Sequence, residues 1–572
     1  MGAEAGDEGA RHQAGGQRAA SGRAAPDQAA PDQAAPDPTG RQRAAPDQAD
    51  TLAALTTLRP GLVDRYLDAS GPARAAVLAR LWGAFAREPI AGLRRRQTSN
   101  GRLTITLDDG RELSGPADAA EPFANPGRLT LRFDNTEYDH PARLLEALPL
   151  AGARDRLVRE LDNSVANLAL ARAASQNEAR QRNARQRDAR QRDAPQSEAR
   201  QNEARQNEAR QIEARQIEAP QREARQKEAL IGLVEIEQAI ADGHPLHPCC
   251  RTRIGMSTED VLRYAPEHHP VVHLHIVEVD PGHWHTTGVP KPPLLPVHPW
   301  QLDRVLASGV ARDTGTTMPA RPLMSLRTLA PTARPDLHLK TAVDVQMTSA
   351  IRTLSPATVH NGPLASRLLA ELARKTTGLT ILTEPSGASI VLDGEEQRSM
   401  ACVWREAPPP QRHIVPLAAL ESMTDELIEL MLPPLLTMLH LGVALEAHGQ
   451  NTLVAFEDGR PVELFYRDVG GIHVSPRRLA RAGVEMPPLR GTVPTDDPDA
   501  LRTKLFAAVF NGIPIEPHQW DTIARVARES AGNEDRTALF ADTLPLKATT
   551  AMRLADDPLE DRWAQIPNPL QN

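Results

Sequence analysis

Apolar residues recur at helical and strand spacing in the N-terminal part of this chain. One helical face carries Val77, Leu78, Leu81, Trp82 and Phe85. A hairpin from Leu103 to Leu113 that turns on Asp109-Gly110 follows, and then a strand from Arg128 to Phe133. The pattern predicts a unit with both helices and antiparallel strands over residues 51–170.

The middle of the chain, residues 241–400, is rich in predicted strands. Val271–Val279 alternates moderately, and Leu337–Met347 alternates more strictly. One face of the second strand carries Leu337, Leu339, Thr341, Val343, Val345 and Met347, and the other carries His338, Lys340, Ala342, Asp344 and Gln346. Because side chains of a strand alternate between two faces, we expect one apolar and one polar face.

A hairpin is predicted near the start of the C-terminal part. Thr452–Phe456 and Pro461–Phe465 flank Asp458-Gly459, and Asp-Gly between apolar runs is a strong hairpin signal. With Phe456 opposite Pro461, Asn451 faces Tyr466 and Gly449 faces Asp468, so Asn451 and Asp468 become diagonal neighbours on one face. Helices are predicted at about 425–445, 499–510, 519–530 and 536–544.

Two segments of low complexity stand apart from these patterns. Residues 24–48 repeat Ala-Ala-Pro-Asp-Gln, and we expect residues 1–50 to form a disordered tail. From Ala179 to Ala229 an alanine recurs at every fifth position. A period of five places no apolar stripe on a helix, so we interpret residues 175–229 as an insertion tolerated at the surface. An interaction arm is the alternative.

Composition narrows the class of protein. A net charge of −8 offers no cationic surface for nucleic-acid phosphates. The three cysteines, Cys249, Cys250 and Cys402, form no disulfide framework and fit a reducing compartment. No apolar run reaches the roughly 18 residues that span a bilayer, and the first residues do not read as a secretion signal. We expect a cytoplasmic protein without a nucleic-acid or membrane partner.

A dense polar cluster lies between a leucine-rich segment and the hairpin. It contains Glu446, His448, Gln450 and Asn451, and Asp468 follows the hairpin. Carboxylate and carboxamide oxygens suit Mg²⁺ that bridges phosphate oxygens. Glu446 and His448 join such a site only if the backbone breaks near Gly449, since an ideal strand points them away. A solvated strand end is the alternative for each residue alone.

Basic residues are predicted on neighbouring strands. Met324–Thr328 is predicted as a short strand on which Ser325 and Arg327 share a face. Lys340 lies on the next strand and Arg352 follows it. Guanidinium forks, a point charge and a hydroxyl suit a triphosphate.

A proline-stiffened loop precedes these strands. Its candidate residues are His244, His247, Arg251 and Arg253. The arginines can clamp carboxylates, and a histidine can orient a carboxylate or move a proton. Zinc is disfavoured, because adjacent cysteines rarely close one tetrahedron and there is no second ligand pair at zinc spacing.

Six ordered segments resemble the IucA/IucC family of NRPS-independent siderophore synthetases. They are GHPLHPCCRTRIG, LPVHPWQ, MSLRTL, HLKTAVDVQMTSAIRTLSP, LEAHGQNTLVAF and FYRDVGGI. The resemblance covers most of residues 230–480 and, weakly, residues 51–170. It implies ATP-dependent adenylation of a carboxylate of citrate or of a citrate-like or dicarboxylic substrate. An amine or hydroxyl then captures the acyl-adenylate, in siderophore biosynthesis for iron acquisition.

The resemblance also implies an architecture. It is an α+β fold of mainly antiparallel sheets, shaped as a cupped hand, in a homodimer. A thumb over residues 51–240 contains the insertion, fingers span residues 241–400, and a kinase-like palm spans residues 401–572.

Roles follow from the resemblance position by position. Ser325, Arg327, Lys340 and Arg352 would hold the ATP phosphates. His247 with Arg253, and His448 with Gln450, would lie around the carboxylate and the adenylate; His244 and Arg251 belong to the same loop. Glu446, Asn451 and Asp468 would lie near nucleotide or Mg²⁺. His448, Arg352 and Lys340 are the expected catalytic residues, with His448 as the base. Position 251 is Arg where the family commonly has Lys.

Two other functions stay open from the residues alone. A histidine before an asparagine, followed after a hairpin by an aspartate, is also typical of kinase-like phosphotransferases, although a glycine-rich loop ahead of a strand lysine is missing. A non-catalytic scaffold that works through the alanine repeat is the third possibility.

Overall fold

The computed structural model describes residues 48–175 and 232–571. The alanine repeat and the predicted tail, apart from its last residues, lie outside these ranges. Residues 48–50 already belong to a helix. In the two described ranges, no helix has both the length and the apolar character needed to cross a membrane.

The helices are as follows in chain order. They are α1 Gln48–Leu58, α2 Val63–Arg87, α3 Pro141–Ala147, α4 154–175, α5 Leu233–Gln238, α6 Thr258–Tyr264, α7 Leu302–Leu306, α8 Pro356–Ala373, α9 Asp425–Leu441, α10 Pro476–Arg481, α11 Pro498–Phe510, α12 Gln519–Ser530, α13 Asn533–Leu539 and α14 Thr549–Leu554.

The strands form mainly antiparallel sheets. They are β1 Leu93–Ser99, β2 Arg102–Leu107, β3 Glu112–Pro116, β4 Leu131–Phe133, β5 Thr136–Tyr138, β6 Val272–Val279, β7 Trp284–Gly288, β8 Leu294–Val297, β9 Ala311–Pro322, β10 Thr328–Pro331, β11 Leu337–Thr341, β12 Val343–Met347, β13 Ala350–Arg352, β14 Leu379–Ile381, β15 Ser386–Leu392, β16 Glu395–Glu406, β17 His413–Pro416, β18 Val443–Ala444, β19 Thr452–Glu457, β20 Arg460–Tyr466, β21 His473–Val474, β22 Thr543–Lys547 and β23 Trp563–Pro567.

The N-terminal unit packs α2 on a five-stranded sheet in the order β1-β2-β3-β4-β5. The predicted helical face is buried, and Trp82 donates its indole N–H to the carbonyl of Pro116 at 2.9 Å. The predicted hairpin is confirmed, with Ile105 opposite Leu113. The strand predicted from Arg128 is shorter and begins at Leu131.

An eight-stranded sheet, β7-β15-β16-β11-β10-β9-β6-β8, fills the middle of the chain. The prediction of one strand over Leu337–Met347 is wrong, because β11 belongs to this sheet whereas β12 pairs with β13. The alternation of residue types continues across the break, so the sequence pattern does not reveal it. The polar face is also covered, since His338 and Lys340 are each only 3 % exposed.

The C-terminal unit packs helices on a four-stranded sheet, β14-β20-β19-β17, whose β14–β20 pair is parallel. Three predicted helices are present as α9, α11 and α12, whereas the helix predicted at 536–544 overlaps α13 only up to Leu539, and Thr543 already begins β22. α9 ends at Gly442, whose φ of 111° is a left-handed cap that suits glycine. Its leucines and methionines form the core of this unit.

The units share interfaces. β16 runs through the boundary predicted at residue 400. Leu546, Ala551 and Leu554 join the hydrophobic core of the N-terminal unit and the eight-stranded sheet, far from their neighbours in sequence. The C-terminal segment therefore ties the last unit to the first.

Candidate active site

An ion network centres on Asp468, directly after β20. Asp468 has φ 70° and ψ 80°, a left-handed conformation that costs free energy for a residue with a Cβ. Lys340 Nζ donates to Asp468 Oδ1 at 2.6 Å, and Arg405 lies 3.3 Å from Oδ2. Burial opposes ionisation of Asp468, but Lys340 and Arg405 outweigh it and hold its pKa well below the usual value.

Arg405 on β16 is a site residue that the sequence did not single out. Its guanidinium also binds Glu384 Oε1 at 3.0 and 2.6 Å. Because His338 is opposite Arg405 and Lys340 is opposite Val403, Arg405 and Lys340 share one face of the sheet. Only the pairing of β11 with β16, which a single sequence does not reveal, brings them together.

Arg327 and Ser325 lie in a turn between β9 and β10. The prediction of a strand over Met324–Thr328 is wrong, because Leu323 N–H donates to Thr328 O and Leu326 takes φ 64°. Arg327 Nη1 donates to Thr353 O at 2.6 Å. Burial, followed by the charge of Arg352, lowers the pKa of Arg327 to about 10. The turn still brings Arg327 to the Asp468 network.

Arg352 holds the turn between β12 and β13. Its Nη2 donates to Met347 O at 2.9 Å and to Thr348 Oγ1 at 2.6 Å. Asp468 and Glu446 act on its charge, although burial has the larger effect and lowers its pKa. The structure thus collects Arg327, Lys340, Arg352 and Arg405 around the carboxylates of Asp468 and Glu384.

The polar cluster at residues 446–451 folds as a turn. The backbone break near Gly449 that the sequence left open is present, since Asn451 N–H donates to His448 O at 3.0 Å and residues 445–451 lie outside any strand. Gly449 O accepts the Ala418 N–H at 2.9 Å. A Cβ on Gly449 would lie 3.0 Å from Ala418 N, so glycine permits this close approach. His448 Nδ1 accepts the Gln450 N–H at 3.2 Å, which leaves the proton of a neutral ring on Nε2. Burial lowers the pKa of His448 and favours this neutral form.

The register predicted for the β19–β20 hairpin is correct next to the turn but wrong by one residue farther along the strands. Phe456 faces Pro461 as expected, but a bulge between Ala455 and Phe456 places Thr452 opposite Tyr466. The backbone of Asn451 consequently accepts from Arg467 N–H at 3.0 Å. Asn451 and Asp468 are therefore not diagonal partners on one strand face.

Two of the three predicted metal ligands, Asn451 and Asp468, line one recess. Asn451 and Asp468 line a pocket of about 10 Å³ together with Ser325, Gln450, Arg405 and Arg467. Glu446 lies against Gly471, at the turn that follows Asp468, and its Oε1 is 3.8 Å from Lys504 Nζ. Their oxygens fit the donor preference of Mg²⁺, but Asp468 is already ion-paired.

The proline-stiffened loop that carries His244 and His247, called the histidine loop below, lies close to the cluster around Asp468. His244 is exposed, and the charge of His448 acts on it, which places the two side chains near each other. His247 is buried; its Nδ1 accepts the Cys249 N–H at 3.0 Å and its Nε2 lies 2.7 Å from Ser349 Oγ. Burial lowers the pKa of Arg253 to about 10, and Arg352 is among the charges that act on it.

The contacts of Arg251 are internal, which argues against its predicted role in binding the carboxylate substrate. It donates to Ala241 O at 2.7 Å and to Asp242 O at 3.2 Å. Its Nη1 also lies 3.3 Å from Glu267 Oε2, with both side chains buried. Arg251 thus holds the loop rather than a ligand.

Lys547 on β22 is a second residue that the sequence did not indicate. Its Nζ lies 2.7 Å from Asp561 Oδ1, and its charge acts on His244 and His247. A single lysine far along the chain carries no local signal of this position.

The fold of this chain is shared with proteins whose structures have been solved. The chain superposes on the petrobactin biosynthesis protein AsbB from Bacillus anthracis with a TM-score of 0.65 at 17% identity, covering 91% of this chain and 97% of that one. For ATP-bound aerobactin synthetase IucA from Klebsiella pneumoniae, the TM-score is 0.60 at 18% identity, with coverage of 87% and 99%.

Sequence comparison finds a family model and named relatives to which parts of the chain are similar. Residues 232–293 and 290–422 match the model described as the IucA / IucC family, and residues 424–513 match one described as ferric iron reductase FhuF-like transporter. Staphyloferrin A synthase of Staphylococcus aureus is 24% identical over 423 residues, which is 59% of this chain and 72% of that protein. Aerobactin synthase of Escherichia coli is 26% identical, over 41% of this chain and 54% of that protein. Over residues 232–422 the chain is thus similar to the IucA / IucC family.

Proposed function

We propose that this protein is an ATP-dependent siderophore synthetase. It adenylates a carboxylate of citrate, or of a citrate-like or dicarboxylic substrate, and condenses it with an amine or hydroxyl, with release of AMP and pyrophosphate. The observation that carries the proposal is the cationic cluster around Asp468 directly beside the histidine loop. Relatives named D-ornithine–citrate ligase and staphyloferrin A synthase support it.

The charge of the cluster fits ATP. Four cations, Arg327, Lys340, Arg352 and Arg405, outnumber the three carboxylates whose charges act on them, which are Asp468, Glu384 and Glu446. An anion with several negative oxygens would balance this surplus, and guanidinium groups match phosphate oxygens in pairs. Ser325 and Gln450 add neutral donors in the same recess.

The reaction needs electrostatic stabilisation of negative charge. It needs no nucleophile from the protein. A carboxylate oxygen attacks the α-phosphorus, and the bond to the pyrophosphate oxygen breaks. The cluster stabilises the negative charge on the departing pyrophosphate. The amine or hydroxyl then attacks the acyl carbon, loses its proton, and AMP leaves with one oxygen of the original carboxylate.

His448 is the proposed catalytic residue of the second step. In the described geometry the Nε2–H of His448 can donate a hydrogen bond to the acyl-adenylate. It can accept the proton of the incoming amine only when Gln450 N–H releases Nδ1.

Mg²⁺ is part of the proposal. Asp468, Asn451 and Glu446 would hold it beside the phosphates, where it would neutralise their charge. Asp468 would hold the cation while it keeps Lys340 and Arg405 in place beside the phosphates.

The finer architecture is likewise proposed. The N-terminal unit corresponds to the thumb, the eight-stranded sheet to the fingers, and the C-terminal unit to a kinase-like palm of a cupped hand. A cytoplasmic homodimer is expected, and light scattering of the purified protein measures the oligomeric state.

The test is product analysis with a panel of carboxylates. Purified protein is incubated with ATP, Mg²⁺ and citrate, 2-oxoglutarate or a succinylated polyamine, together with a panel of amines and amino acids. We expect AMP and pyrophosphate that depend on both the carboxylate and the acceptor. ADP in place of AMP would instead support the kinase-like alternative, which the relatives do not favour.

A further inference from the structure

A tight turn lies between the cationic cluster around Asp468 and the histidine loop. Thr348 and Ser349 connect β12 to β13, and Thr348 has φ 56°. Arg352 holds the turn on one side through Met347 O and Thr348 Oγ1. His247 holds it on the other side through Ser349 Oγ. A carboxylate that attacks an α-phosphate has to lie beside this turn.

His247 has no ring nitrogen left for a ligand. Nδ1 accepts the Cys249 N–H, so the neutral ring carries its proton on Nε2 and donates it to Ser349 Oγ at 2.7 Å. Burial keeps the pKa of His247 well below its usual value, so the ring is neutral and does not attract a carboxylate by charge. The hydroxyl hydrogen of Ser349, which is only half-buried, is then available to a ligand in the cleft.

A buried ion pair fixes the backbone of the same residue. Arg553 of α14 donates through Nη1 to Ser349 O at 2.8 Å, and its Nε binds Glu160 Oε2 at 2.8 Å. The side chains of Arg553 and Glu160 are each 2% exposed. Glu160 also accepts from Gln346 Nε2 at 2.9 Å, at the start of the turn.

We propose that the Ser349 hydroxyl is the group that donates a hydrogen bond to the carboxylate substrate, and that His247 and Arg553 are positioning residues that hold it. The inference rests on the proposed function and changes the role of His247 within it. The histidine acts through Ser349 instead of touching the substrate.

The first test replaces Ser349 and measures pyrophosphate release with citrate as the carboxylate probe. For Ser349→Ala we expect the KM for citrate to rise at least about tenfold, because a hydrogen bond to a charged group is lost. The KM for ATP should stay within about twofold, and Ser349→Thr should restore most of the affinity. Ser308→Ala, which removes a half-buried hydroxyl bonded to Val305 O, is the matched control.

A double-mutant cycle separates positioning from direct contact. If His247 acts only through Ser349, His247→Ala raises the KM for citrate in the wild-type background but adds nothing to Ser349→Ala. Additive effects would assign a direct contact to His247 and overturn the proposal. An unchanged KM for citrate in Ser349→Ala would overturn it as well.

Arg553→Lys tests the second positioning residue. Lysine keeps the charge beside Glu160 but lacks the fork that reaches Ser349 O, so the KM for citrate should rise with little change in kcat. Thermal unfolding reports whether this variant folds, and the Ser349 and His247 variants leave the ion pair intact. Wild-type protein that releases no AMP with any carboxylate would contradict the proposed function itself, whereas AMP release with an unchanged KM in Ser349→Ala contradicts only this inference.

Discussion

At the scale of single residues, each positively charged side chain of the cationic cluster already contacts an oxygen atom of the protein. Lys340 binds Asp468, Arg327 binds Thr353 O, and Arg352 binds Met347 O. These contacts fix the side chains before any anion arrives. Less reorganisation is then needed when negative charge develops on pyrophosphate.

Arg352 gives the sharpest test of the cluster. Arg352→Ala should raise the KM for ATP by about 10- to 100-fold, since charge-assisted hydrogen bonds contribute roughly 1.5–3 kcal/mol. Arg352→Lys should recover only part of this, because an ammonium lacks the planar fork. Arg334→Ala, on an exposed pair with Asp336, is the control that should keep wild-type kinetics. Equal KM values for ATP in the Arg352 and Arg334 variants would remove Arg352 from the site.

Arg251 should affect stability rather than substrate affinity. Arg251→Gln leaves buried Glu267 with less positive charge and several carbonyls without a donor, which should cost about 3–5 kcal/mol in the free energy of unfolding. Denaturant titration measures this cost, with Arg263→Gln on an exposed helical pair as the control. A stable Arg251→Gln protein with a raised KM for citrate would restore the substrate role.

Residue types and local pattern predicted most residues of the proposed site. Lys340, Arg352, His448 and Asp468 were all found from motifs, because each lies beside residues that are unusual for a plain strand or turn. Arg405, Ser349, Lys547 and Arg553 were not, since strand pairing and docking over long sequence distances bring them in. Arg251 looks like a ligand in sequence, and only its buried contacts show otherwise.

At the scale of elements, α14 docks on the N-terminal unit through a buried carboxylate. Glu88 Oε2 accepts the Ala551 N–H at 2.8 Å. Arg156 Nη2 donates to Arg553 O at 2.7 Å and to Ala555 O at 2.6 Å. Burial raises the pKa of Glu88 to about 7, so this contact titrates near neutral pH.

Glu88 should make the stability of the fold depend on pH. Its pKa in the folded protein lies above the ordinary value of 4.5, so its contribution to stability is present below about pH 4.5 and is lost as the pH rises through about 7. The lost free energy is on the order of 3 kcal/mol. Glu88→Gln, which cannot ionise, should be more stable than wild type at pH 8 and about equal at pH 5, in unfolding titrations.

Glu259→Gln on the surface serves as the control and should not change this pH dependence. A constant difference between wild type and Glu88→Gln at both pH values would contradict the titration of Glu88.

The local spacing of apolar residues predicted the presence of helices and strands better than it predicted where they begin and end. The helices α9, α11 and α12 were found with small boundary errors, because apolar spacing and caps lie within each segment. The turn at Met324–Thr328, the break at Ala342 and the bulge beside Phe456 were missed. In each case the apolar pattern continues through the irregularity. The irregularity is imposed only by the partner strands.

At the scale of the whole molecule, catalysis depends on contacts between distant parts of the chain. The candidate site takes Ser349 from the middle, Asp468 from the C-terminal unit and Arg553 from the last helix. The sequence predicted an α+β fold of mainly antiparallel sheets. It did not predict that the C-terminal segment returns to the N-terminal core, since nothing local encodes that contact.

The alanine repeat should be dispensable. All six motifs and all candidate site residues lie outside residues 178–228. Deleting this segment should leave AMP release within about twofold of wild type, because surface insertions add little closure entropy. The same deletion combined with Arg352→Ala provides the inactive baseline. Loss of AMP release in a folded deletion variant would instead support a working role for the repeat.

The central claim is that a substrate carboxylate attacks the α-phosphate of ATP. Citrate labelled with ¹⁸O in its carboxylates tests this most directly, in a complete reaction with the acceptor amine and analysis of the nucleotide and phosphate products by mass spectrometry. We predict that each condensation transfers one ¹⁸O to AMP and none to pyrophosphate. Unlabelled AMP, or label in inorganic phosphate with ADP as the product, would contradict adenylation.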